Sequence, residues 1–343
     1  MPKKESAFNL ANIEKIEEKI DYKKRIRKIE VILASILLGA IIVFGFMALA
    51  AILNEGTHKF IDIIESINFF YYGLALLIIF SGYLLRFPKW EYYMKKLKVK
   101  VPKRKNFLIY LSMYSMDVTP GRWGRAVVSY TINKITKAKF SRTFPAVVAD
   151  IFTDFLGFAS LCLFFAFFVH KYVVISLLIT TLLLLPFVFL YHEKPFAYLK
   201  TKLNRFRSMK SFFDVGELYF KNNKMLGRKA YWYSMLFTIP SMFLNGLSLY
   251  LVLLSFGVNV GIANIPTILF IFASSLIFGM ITGIPANLGV TDGIMLSELV
   301  AFFGSSISFG LATIVTIFFR IATVWFVELF GFIALILTFR YWK

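Results

Sequence analysis

The chain has 343 residues, 58% of them hydrophobic, with 40 phenylalanines and a mean hydropathy of +0.71. That exceeds the roughly 45–50% apolar content of soluble domains, which excludes an ordinary soluble globule and leaves a polytopic membrane protein. A formal net charge of +20 would suggest nucleic acid in a soluble chain, so its placement relative to the apolar runs has to be read first. The lone cysteine, Cys162, lies inside an apolar run and excludes an internal disulfide and a cysteine-rich metal site.

Residues 1–28 form a basic amino-terminal segment with no cleavable signal pattern, so the first hydrophobic run is expected to act as an uncleaved anchor. A hydrocarbon core of about 30 Å needs roughly 20 helical residues. Six runs meet that: 29–53, 66–87, 144–170, 172–191, 230–256 and 308–338. Two further apolar regions, 106–136 and 265–303, are interrupted by Pro120-Gly121-Arg122-Trp123-Gly124 and Pro285-Ala286-Asn287-Leu288-Gly289. Proline removes a helical donor, and broken backbone at membrane depth is tolerated only where protein buries it or where it lines a cavity. Each region is therefore read as a re-entrant hairpin with breaks at Pro120, Gly121 and Gly124 and at Pro285 and Gly289. The rival treats 265–284 as a full span.

Lysine and arginine mark the cytoplasmic side. Nine precede the first span, nine lie between Arg86 and Lys105, and ten lie between Lys194 and Lys229; the opposite side holds Lys59 and Lys171. Both termini are predicted inside. The charge is then a topology signal and an attraction to anionic headgroups, and nucleic acid is not expected as a partner. Between 195 and 228, Phe196, Leu199, Leu203, Phe206 and Met209 recur at helical spacing among basic residues, as in an interfacial amphipathic helix.

The order span, span, hairpin, span occurs twice, over 29–170 and 172–338. Three crossings per unit make the two units inverted repeats, a transporter architecture whose broken helices mark the binding site. From Pro120 to residue 144 is 24 residues and from Pro285 to residue 308 is 23. The fold class predicted is thus all-α and polytopic, with six spans, two re-entrant hairpins and hairpin tips that meet.

Ionisable groups inside such regions default to functional roles. Asp150 and Asp154 stand four apart on one helical face, and Arg320 and Glu328 lie in the last span. Asp154 is 34 residues past Pro120 and Arg320 is 35 past Pro285, which predicts an Asp154–Arg320 pair beside the tips. Glu328 is expected to snorkel toward the cytoplasm. The tips add Asp117, Arg122 and Arg125 in the first hairpin and Asn287, Thr291 and Asp292 in the second. Arg122 and a half-helix starting near Ala126 form a phosphate cradle, Arg125 belongs equally to the cytoplasmic rim, and Asp292 reads equally as a helix cap. The histidines, His58, His170 and His192, fall at separate membrane edges, and no nucleotide-binding, zinc or nucleophile motif occurs. No metal, cofactor or catalytic set is predicted.

The first break, followed by Val147-Val148-Ala149-Asp150-Ile151-Phe152-Thr153-Asp154, resembles the first signature of the flippase-like membrane family that includes the transmembrane region of lysyl-phosphatidylglycerol synthase. Pro285 to Gly293 is similar to the second signature, and Arg320 looks like a family arginine. The resemblance implies a lipid-translocating core of two inverted repeats. This chain departs from the pattern at Arg125, where the family usually has glutamate, at Thr291, which replaces a basic or polar residue, and at Asp150, which replaces a more common glutamate. A net positive tip suits an anionic phospholipid or a polyprenyl phosphate better than a lysylated headgroup. The synthase domain is not expected in a chain that stops at Lys343. The reading is a lipid flippase of the cell membrane with Arg122, Asp150, Asp154, Asn287, Asp292 and Arg320 at its site; a lipid- or partner-binding accessory protein and an intramembrane transferase are the alternatives.

Overall fold

In the computed structural model, residues 22–172, 196–198, 200–201, 220 and 223–340 are described. All but the first residue of the predicted span 172–191 and most of the amphipathic segment 195–228 lie outside them; Phe196 and Phe220 pack together against Val148. The described residues contain helices and no strands, and seven helical stretches are long and apolar enough to cross a membrane. This is a multi-pass integral membrane protein.

The first helix, α1 (Tyr22–Glu55), is followed by the short α2 (Thr57–Glu65), turned by Gly56 at φ 84°. Helix α3 (Phe69–Leu85), capped by the Asn68 side chain on the Phe70 amide at 3.0 Å, runs almost directly into α4 (Phe87–Lys96). Pro88 sits in the first turn of α4, where a missing N–H costs nothing. The apolar stretch thus extends well past Arg86.

The first hairpin consists of α5 (Lys103–Ser112) with a 3₁₀ turn over Met113–Met116, a second 3₁₀ turn over Pro120–Ala126, and α6 (Val127–Thr136). Ten helical residues rise only about 15 Å, so neither α5 nor α6 alone spans a bilayer. Helix α7 (Phe140–Ala166) and α8 (Arg228–Ser255) are full-length. The second hairpin is α9 (Ile265–Thr282), a 3₁₀ turn over Pro285–Asn287, and α10 (Val290–Phe303). Its arms are unequal, because nothing interrupts α9 until Gly283 turns left-handed at φ 63°. At about 27 Å, α9 reaches nearly across the hydrocarbon core, so the shape lies between the predicted hairpin and its full-span rival. The last helix comprises α11 (Phe309–Arg320), a π-helical turn over Ile321–Trp325, and α12 (Phe326–Arg340).

Helix α7 joins two packed clusters. Its amino-terminal half, including Val147, meets Trp90, Tyr93 and Tyr110 of α4 and α5; its carboxy-terminal half, including Phe158 and Cys162, meets Met242, Leu269, Phe272 and Phe319. Asp150 and Asp154 lie between the two. Helices in lipid gain little from apolar burial and hold together by close approach, and at Gly331 one helix approaches the main chain of another element more closely than at any other glycine of the described residues. A Cβ there would collide with the Ser115 amide nitrogen and other backbone of the first hairpin. Gly331→Ala is expected to force α12 away from that hairpin and cost about 1–3 kcal/mol, seen as a lower thermal midpoint in detergent. Gly45→Ala, where a Cβ meets nothing within 4 Å, should leave the midpoint level or slightly raised; equal midpoints for the two variants would refute the contact.

Candidate functional site

The two breaks share a backbone shape. Gly121 and Arg122 have φ of 58° and 59°, and Ala286 and Asn287 have φ of 53° and 55°. Each proline is therefore followed by two left-handed residues. For a non-glycine residue this conformation costs about 1–2 kcal/mol, so surrounding contacts must hold it.

Those contacts come from the other tip and from the last helix. The Ala286 amide donates to the Val118 carbonyl at 2.8 Å, and the Val118 amide donates to Glu328 Oε1 at 3.1 Å. Arg320 Nη2 donates to the Ala286 carbonyl. Around this chain of hydrogen bonds, Val118 and Ala286 pack with Leu288, Val324 and Trp325. The tips meet, as predicted. Glu328 does not snorkel: it is 4% exposed, because its carboxylate is drawn to a main-chain donor freed by the break.

Arg320 and Asp154 do not pair. Arg320 Nε lies 2.7 Å from Asp292 Oδ1, too oblique for a hydrogen bond, and Asp292 Oδ2 accepts from the Gly289 amide at 2.7 Å. Asp292 is thus both cap and counter-ion at the second tip. Asp154 is instead surrounded by cations of the first half. Its Oδ1 accepts from Lys89 Nζ at 2.9 Å, and its Oδ2 lies 3.1 Å from Arg125 Nη1, 3.2 Å from Arg86 Nη1 and 3.3 Å from Arg122 Nη1. Equal distance from a proline set the depth of Asp154 and Arg320, but nearer partners claimed each.

Asp150, one turn before Asp154, lies 2.7 Å from Arg125 Nη1 and 2.9 Å from Lys89 Nζ. Lys89 also donates to Thr153 Oγ1 at 3.1 Å and Thr238 Oγ1 at 3.2 Å. Arg125 grips Asp117 with two nitrogens, Nη2 at 2.6 Å and Nε. Arg125 is fully buried and not on a cytoplasmic rim, because three carboxylates converge on it. Arg86 and Lys89 are not the loop charges that charge counting makes them; the run from α3 into α4 carries them inward at three-residue spacing, on one helical face. The signal was present in the aromatic continuation Phe87, Trp90, Tyr92 and Tyr93. Arg86 also stacks over Tyr83, its guanidinium 4.3 Å from the ring centre. Four cations face three carboxylates.

A cavity lies between the tips and these charges. Arg86, Asp117 and Arg122 of the first half and Asn287, Arg320 and Glu328 of the second line it; about 60 Å³ of it is open to water, room for a few molecules. Of the predicted site residues, Arg122, Asn287 and Arg320 border it. Asp150 and Asp154 stand behind it as counter-ions, and Asp292 holds Arg320. Among the described residues no cluster of histidine, cysteine or carboxylate could hold a metal.

The chain is thus a multi-pass helical membrane protein in which two broken helices touch beside a polar, charged cavity. The family model for the lysylphosphatidylglycerol synthase TM region matches residues 32–331, and the chain belongs to that family. No curated protein matches the chain. Family membership ties the protein to phospholipid handling in the membrane.

The four cations separate in an experiment. Arg125→Ala strips Asp117 of both its contacts and leaves Asp150 with Lys89, and breaking a buried pair of this kind costs about 3–5 kcal/mol. A large fall in folded yield or thermal midpoint is expected. Arg122→Ala leaves Asp154 with three other cations and should change the midpoint little; comparable losses would contradict the assignment of Arg125 as the structural cation.

Proposed function

We propose that this protein moves an anionic phospholipid, or a lipid carrying a polyprenyl phosphate, between leaflets of the cell membrane. The observation that carries the reading is the contact between two broken-helix tips over a cavity whose walls hold an excess of positive charge. In this reading 29–170 and 172–338 are inverted repeats with both termini in the cytoplasm, and one repeat rocks against the other. The matched left-handed residues after Pro120 and Pro285 support the repeat. The headgroup enters beside Arg122 while its acyl chains stay in lipid, and the protein works as a transporter, without catalysis.

The small cavity belongs to a closed arrangement, and a headgroup enters only when the tips part. The Ala286–Val118 hydrogen bond is the direct main-chain link that must break. The expected Asp154–Arg320 pair has no part in the mechanism, because each residue has its own counter-ions. Instead, Arg122 leaves Asp154 for the ligand, and Arg86, Lys89 and Arg125 keep that carboxylate compensated. The small volume is also what favours the rival reading, an accessory protein that binds lipid and moves none.

In proteoliposomes, Arg122→Ala should slow the movement of fluorescent phosphatidylglycerol several-fold and affect a zwitterionic lipid less, with Arg122→Lys partly restoring the rate. Wild-type protein that retains lipid through purification yet exchanges none across the bilayer would decide for the accessory reading.

A further inference from the structure

The four cations of the cluster divide by how fully they are engaged. Lys89 meets Asp150, Asp154 and two threonine hydroxyls. Arg125 meets Asp117 through two nitrogens and Asp150 and Asp154 through a third. Both are fully buried and neither borders the cavity. Arg86 and Arg122 differ in engagement and in position. Each has one carboxylate contact, to the same oxygen, Asp154 Oδ2, at 3.2 and 3.3 Å. Both border the cavity. Arg86 is 2% exposed, and its Nε, buried, has no hydrogen-bond partner. A desolvated guanidinium nitrogen without an acceptor is a costly arrangement unless a ligand completes it.

We propose that Arg86 and Arg122 form a two-arginine site for a phosphate oxyanion, with Arg86 the fixed member and Arg122 the mobile one. This rests on the lipid-handling reading only for the source of the phosphate. Guanidinium groups present planar pairs of donors that match phosphate oxygens. Arg86 is held in place by its junction between α3 and α4 and by the Tyr83 ring. The Arg122 side chain is 17% exposed, so it can turn from Asp154 to an incoming anion. Lys89 and Arg125 keep Asp154 paired when it does. The cation in excess of the three carboxylates is thereby matched by the ligand. Arg320, which also lines the cavity, is already committed to the Ala286 carbonyl and Asp292.

The test is calorimetric titration of the full chain in an uncharged maltoside detergent, with inorganic phosphate and with short-chain dihexanoyl phosphatidylglycerol as separate probes. Arg86→Gln and Arg122→Gln should each weaken binding at least tenfold, and Arg86→Lys, which keeps the charge but loses the fork, should fall between. Lys100→Gln, an exposed lysine outside the cavity, should bind as wild type. Thermal midpoints serve as the folding control, since Asp154 retains three cations in each arginine variant. Binding of both probes with this pattern identifies phosphate itself as the ligand, and binding of the lipid alone identifies a lipid-borne phosphate. No binding of either probe, a change under twofold in Arg86→Gln, or an equal loss in Lys100→Gln overturns the site. A protein that binds in the Arg86-dependent way but moves no lipid keeps the site and sinks the translocation reading. Wild-type transport by Arg86→Gln protein whose binding is also unchanged does the reverse.

Discussion

The structure turns on how the main-chain groups freed by two helix breaks find hydrogen-bond partners. Ala286 N–H binds the Val118 carbonyl, Val118 N–H binds Glu328, and the Ala286 carbonyl takes Arg320. Each tip thus completes the other, and the last helix supplies one charge of each sign to the remaining groups. An unsatisfied backbone group costs several kcal/mol in hydrocarbon, more than the strain of the left-handed residues that shape the tips. The π-helical turn over Ile321–Trp325 separates Arg320 from Glu328, and such turns are frequent at functional sites. Here it stands between the two side chains that reach the two tips.

The charge cluster is a consequence of the same geometry. Breaking the first hairpin at Pro120 lets Asp117 and Arg125 face each other across the turn, and α7 brings Asp150 and Asp154 up to them. Burying so many ions is expensive. Convergence of four cations on three carboxylates offsets the cost, and the cations bordering the cavity are the ones least fully engaged. A cluster that holds the helices together therefore also presents positive charge to the cavity.

Much of the site was legible in the apolar pattern. The broken segments, the facing acids Asp150 and Asp154, and the placement of Arg122 and Asn287 at a shared cavity follow from spacing. Charge counting placed Arg86 and Lys89 in a surface loop, left Arg125 open between tip and rim, and went with a snorkelling Glu328; all four are buried, because ionisable residues near the ends of apolar runs read as membrane-surface charges. Arg86 and Lys89 are carried inward by an aromatic helix that continues the span, and Arg125 and Glu328 by partners far away in sequence. The expected Asp154–Arg320 pair failed for a related reason: spacing along a helix sets depth, while the partner depends on which neighbouring helix presents an opposite charge first.

The sequence by itself determined a multi-pass helical membrane protein, the positions of its two breaks, its family, and the presence of ionisable residues where lipid would reject them. These follow from hydropathy, proline and glycine, which act locally. Only the tertiary structure decided which charges meet, that the second hairpin has one long arm, and that the tips satisfy one another through Val118 and Ala286. Those depend on hydrogen bonds between main-chain groups 168 residues apart, for which valine and alanine side chains leave no trace in the sequence.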